Sequence, residues 1–115
     1  MPRDIVITSS EQPMTDVLLH AATDVLPEFT TLEVANGAAI QLLMNGQVAL
    51  TISINAARHV KAPHEACRLV PGTPDAPVWW IEAWAPTGAI GDQGIAVANH
   101  FKELIHGQVF IGSAT

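Results

Sequence analysis

The spacing of apolar positions changes along the chain, and each change marks an element. Asp4 to Thr8 (DIVIT) is short, β-branched and bounded by Ser9 and Ser10, which predicts a strand followed by a serine N-cap. From Glu11 the apolar residues Met14, Val17, Leu18, Ala21, Ala22 and Val25 recur at the spacing of one helical face, with Glu11 and Asp16 near the positive end of the helix dipole. Pro27 has no backbone donor and stops that helix. TLEVA, AAIQLLM and QVALTISI follow, separated by Asn36 with Gly37 and by Asn45 with Gly46, the pair favoured where both turn residues need φ > 0. Two tight hairpins are expected, in a β-meander.

Counting back from two-residue bends, with Ala35 opposite Ala38 and Met44 opposite Gln47, assigns every side chain to a face. Leu32, Val34, Ala39, Gln41, Leu43, Val48, Leu50, Ile52 and Ile54 share one face, which is almost wholly apolar and is expected to carry the helices. Glu33, Ala35, Ala38, Ile40, Leu42, Met44, Gln47, Ala49, Thr51 and Ser53 share the other, leaving Ile40, Leu42 and Met44 on the open side. VALTISI is uncharged and β-prone, so it is placed inside the sheet, away from an edge where it would template aggregation.

Residues 55–65 show no clear period and read as a loop or the frayed end of the third meander strand. ACRLV and VWWIEAWA flank the loop PGTPDAP, which predicts a second antiparallel pair, ended by Pro86. Asp92 is the expected cap of a second helix that buries Val97, Ala98, Phe101, Leu104 and Ile105, with Gly107 at C′. Val109 to Ile111 (VFI) forms a closing strand. The order is β-α-β-β-β-β-β-α-β. It predicts an α+β fold, a single antiparallel-rich sheet with two helices packed on one face, in a single domain over residues 1–115.

All three tryptophans fall in VWWIEAWA, with a carboxylate among them. Strand alternation points Trp79, Ile81, Ala83 and Ala85 one way and Val78, Trp80, Glu82 and Trp84 the other. Burying Glu82 beneath the helices would cost several kcal/mol unless it were paired, so Trp79 is expected toward the core. Trp80, Glu82 and Trp84 then join Ile40, Leu42 and Met44 on the uncovered face. The plain explanation is cover for the flank of a sheet, aided by residues 55–65. The favoured one is a protein interface, because indoles and methionine are enriched where partners bind; a homodimer would need a patch self-complementary about a two-fold axis. A third is a small-ligand site in which Trp80 and Trp84 flank a cation that Glu82 neutralises.

Composition narrows the class further. Hydrophobic residues are 49% and charged ones only 14%, an apolar balance for a chain this small, consistent with a surface that meets a partner. The acidic formal charge of −6, with five scattered Lys and Arg, leaves no cluster able to neutralise a phosphate backbone, so nucleic acid is not expected as a partner. No apolar run is long enough for a signal peptide or a membrane span, and a single cysteine, Cys67, allows no internal disulfide. A cytoplasmic protein with no membrane partner is expected.

The remaining constellations carry weaker chemistry. His59, His64, Glu65 and Cys67 are zinc-type donors, but their spacing matches neither paired CxxC nor HExxH. An enzyme or metal site would be built from His59, His64, Cys67 and Glu82; as a nucleophile, Cys67 needs a histidine close in space. Thr87 to Gly94 (TGAIGDQG) departs from both the dinucleotide fingerprint and the P-loop and reads as a flexible turn with an N-cap. His100 and His106 suit the negative end of the second helix, and His20 has no evident partner. No motif asks for a cofactor. The expected protein is small and non-catalytic, acting through self-association or contact with another protein.

Overall fold

The computed structural model describes residues 3–60 and 78–113. Within them the elements are β1 (Arg3–Ser9), α1 (Thr15–Val25), β2 (Thr30–Val34), β3 (Ala39–Met44), β4 (Gln47–Ile52), β5 (Arg58–Val60), β6 (Val78–Ala85), α2 (Ala89–Leu104) and β7 (Gln108–Ser113). That is the α+β order expected, with β5 occupying part of the stretch read as loop. The ACRLV strand and the PGTPDAP loop lie outside the described residues. The sheet runs β2-β3-β4-β6-β1-β7, and every pairing is antiparallel. Strand β4 pairs with the C-terminal half of β6 (Thr51 opposite Trp84) and β5 with its N-terminal half (His59 opposite Trp79). Both helices lie on one face. They enclose a core in which Leu18 and Ala22 of α1 and Val97 and Phe101 of α2 pack on Ile5, Ile7, Leu50, Ile52 and Ile81.

The two Asn-Gly bends differ. Asn45 and Gly46 make the expected two-residue turn, with φ of 53° and 77° and Met44 opposite Gln47. At the first bend Ala35, Asn36 and Gly37 all take left-handed φ, and the last pair is Val34 with Ala39 rather than Ala35 with Ala38. The bend is held from outside: Asn55 donates Nδ2 to the Gly37 carbonyl at 2.7 Å and its backbone N–H to the Ala38 carbonyl at 3.1 Å. The loop grew by two residues, so parity survived.

Parity fails inside the second hairpin. Leu43 pairs with Val48 but Leu42 pairs with Leu50, which leaves Ala49 as the extra residue of a β-bulge. The helix-covered face therefore receives Ile40, Leu42 and Met44 from β3 together with Leu50 and Ile52 from β4. The expectation that Ile40, Leu42 and Met44 face the open side is corrected: Ile40 and Leu42 are buried and Met44 packs against the core. A regular ladder would have put Gln41 in the core beside Leu50. The bulge instead turns Gln41 and Thr51 outward together, where Gln41 Nε2 donates to Thr51 Oγ1 at 3.3 Å.

Helix α2 seats on that bulge. A Cβ on Gly94 would lie 1.8 Å from the Ala49 carbonyl oxygen, and one on Gly91 would lie 1.6 Å from that of Pro86. These glycines sit inside the helix and permit close packing, which replaces the reading of residues 87–94 as a flexible turn. Asp92 belongs to the first turn and accepts from Arg3 Nη1 at 2.9 Å; the N-cap is Gly88. At the other end His106, with φ of 55°, takes the left-handed C′ position expected of Gly107, while the Gly107 N–H reaches the Lys102 carbonyl. Helix α1 starts without a side-chain cap at Met14. Ser9 instead accepts from the Glu11 N–H and donates to the Ile105 carbonyl, joining the end of β1 to the end of α2. Among the described residues no helix is long and apolar enough to cross a membrane.

Candidate functional site

The face that the helices leave uncovered is built from alternate residues of neighbouring strands. Thr51 of β4 opposes Trp84 of β6, Trp84 opposes Asp4 of β1, and Val6 opposes both Glu82 of β6 and Phe110 of β7. Leu43 and Val48 continue the same face across the hairpin, and Leu32 extends it to edge strand β2, where it is 52% exposed. Val6, Leu43, Val48, Trp84 and Phe110 are half-buried on this face, whereas Thr8 and Trp80, paired across β1 and β6 on the same face, are buried.

Of the six residues expected to form an interface, three are on this face. Trp84 is half-buried, Glu82 is exposed, and Trp80 is only 5% exposed. Ile40, Leu42 and Met44 lie on the opposite face. Val6, Leu43, Val48 and Phe110 take the place of that trio; two were missed because the bulge inverted β3, and two because the pairing of β1 with β6 and β7 is long-range. Trp79 points to the helix side, as expected, and its ring stacks on His59 with centroids 4.8 Å apart.

Trp84 stands as a ridge between two hollows of different character. On one side an open groove of about 740 Å³ is lined by Gln41, Gln47, Val48, Thr51 and Trp84 and by residues 85–90. None of these lining residues is charged. On the other side a smaller hollow of about 300 Å³ is lined by Asp4, Ile5, Val6, Glu82, Ala83 and Trp84. It presents two carboxylates beside an indole. Trp80 lines neither hollow. Four residues apart on one strand, Trp80 and Trp84 have backbones about 13 Å apart, so a cation midway between them would lie about 6–7 Å from each, at the outer limit of the range over which a ring attracts it.

The catalytic and metal constellation is not brought together among the described residues. His59 shares the helix side with Trp79, whereas Glu82 is on the uncovered face, so the sheet separates them. His64, Glu65 and Cys67 lie outside the described residues. Among the described residues no group of three His, Cys, Asp or Glu side chains is arranged to hold a metal ion. In comparisons with known proteins, no family model, no curated protein and no solved structure matches the chain.

Proposed function

We propose that this protein acts without catalysis of its own, through protein–protein contacts at the sheet face that α1 and α2 leave uncovered, and that a second copy of the chain is its simplest partner. The observation that carries this reading is the strip Leu43, Val48, Trp84, Val6 and Phe110, which spans the sheet on the face away from α1 and α2. Apolar side chains gathered on one face gain more from a partner than the same side chains scattered singly. The half-buried indole at its centre has the character of a binding anchor. A chain of formal charge −6 repels its own copy, and the uncharged stretch around Trp84, Thr51 and Gln41 is where two copies meet at least cost. Light scattering tests the reading. The wild type is expected at twice the mass of Trp84→Ala and of Leu43→Glu, with unchanged circular dichroism; a wild type of single-chain mass sinks self-association.

The hollow shared by Asp4, Val6, Glu82 and Trp84 favours a second reading, the binding of a small organic cation. Asp4 replaces Trp80 as the second group beside Trp84. An indole face and two carboxylates attract a quaternary ammonium group electrostatically. Tryptophan fluorescence is expected to respond to tetramethylammonium in the wild type and to respond less in Asp4→Asn. Equal responses would rule the hollow out.

A further inference from the structure

The two strands that end the sheet meet water differently. On one side β2 (TTLEV) sets Glu33 among its exposed residues, a charge of the kind that keeps a strand edge from pairing with another chain. On the other side β7 (QVFIGS) pairs with β1 alone, and none of its six residues is charged or proline. Its register runs from Gln108 opposite Thr8 to Ser113 opposite Arg3 without a bulge, so no irregularity turns the edge aside. Every second residue of β7 presents an N–H and a C=O away from β1, and no strand among the described residues pairs with them. Val109, Phe110 and Ile111 are strong strand formers. Ile111 lies opposite the core residue Ile5, on the helix side of the sheet, yet it remains 45% exposed.

We propose that β7 is a pairing edge for β7 of a second copy, the two strands running antiparallel about a two-fold axis at Phe110, so that one sheet continues from chain to chain. Directly opposite residues of an antiparallel pair point to the same face, which restricts the register. About Phe110 the faces match. Phe110 opposes its own copy on the face away from the helices, Val109 opposes Ile111 on the helix side, and Gln108 opposes Gly112. Every one of these residues is uncharged, which matters for two chains of formal charge −6. The pairing gives the exposed Ile111 an apolar neighbour and carries the strip that ends at Phe110 across the axis. It uses the edge of the sheet and not its face, so it stands independently of the contact proposed around Trp84. Because Glu33 guards the opposite edge, the pairing closes at two chains and does not propagate.

Light scattering on Trp84→Ala, which lacks the anchor of the face contact, isolates the edge. That variant is expected at the mass of two chains, and adding Ile111→Lys, a charge at an exposed edge position, is expected to halve it with unchanged circular dichroism. Cross-linking reads the register and serves alone should Ile111→Lys fail to fold. With Cys67→Ala as background, Phe110→Cys is expected to form disulfide-linked dimers under mild oxidation, since opposite residues lie about 5 Å apart. Ile111→Cys is expected to form few, because its own copy lies diagonally, about 7–8 Å away. A two-chain mass in both the wild type and Trp84→Ala keeps the edge and removes the face; a four-chain wild type keeps both. A single-chain Trp84→Ala, a mass unmoved by Ile111→Lys, or equal cross-linking at positions 110 and 111 overturns the proposal.

Discussion

Strands β6 and β3 both alternate between a covered and an uncovered face, yet what fixes the alternation differs. In β6 the anchor is local. Glu82 cannot lie beneath the helices without a partner, so one charge sorts the whole strand, and Ile81, Ala83 and Ala85 are found buried on the other side. In β3 no charge is present, and the assignment was carried from a turn through a ladder assumed to be regular. A single extra residue at Ala49 was enough to exchange its faces. Alternation read from a charge within a strand withstands distant irregularity; alternation counted from a turn holds only as far as the first bulge.

Two adjacent leucines of β3 give the sharpest way to break that contrast. Leu42 is fully buried beneath the helices, and Leu43 is half-buried on the uncovered face. Leu42→Ala is expected to cost about 3 kcal/mol of unfolding free energy, the ordinary loss for a core leucine with its cavity. Leu43→Ala is expected to cost about 1 kcal/mol or less. Urea denaturation of both variants at one pH ranks them. The reverse order would mean that β3 and β4 pair without a bulge and that Gln41, not Leu42, faces the core.

Much of the fold was legible because local signals agreed with it. The apolar spacing of residues 17–25 and 97–105 marked both helices, Asn45 with Gly46 marked its turn, and β-branched runs marked β1 and β4. The bulge left one clue, since a regular ladder buries Gln41 opposite Leu50 when a one-residue slip removes the conflict. The seat of α2 was not legible. Gly91 and Gly94 look like turn residues until the Pro86 and Ala49 carbonyls are seen pressed against them, and those contacts join distant parts of the chain. The candidate site was half legible for the same reason. Trp84 and Glu82 declared their face within one strand, whereas Val6 and Phe110 reach it through β1 pairing with strands near the other end of the chain. The hydrogen bond between Asp24 and His100, 76 residues apart, gave no sequence signal at all.

The smallest expected effect checks that both helices roof the same face, because Asp24 reaches His100 only if α1 and α2 lie side by side. The folded state holds the Asp24 carboxyl below its ordinary range, first through the hydrogen bond from His100. A group whose folded pKa is depressed contributes stability above its unfolded pKa, and that contribution disappears as pH falls through the folded value. Asp24→Asn is therefore expected to unfold about 1–2 °C below the wild type at pH 6. The gap should close as pH drops below about 4, where the wild-type carboxyl takes up its proton and the pair loses its charge difference. A gap that persists undiminished to pH 2.5 would mean that Asp24 acts through its shape and not its charge. No gap at pH 6 would mean that the contact between the helices does not stabilise them.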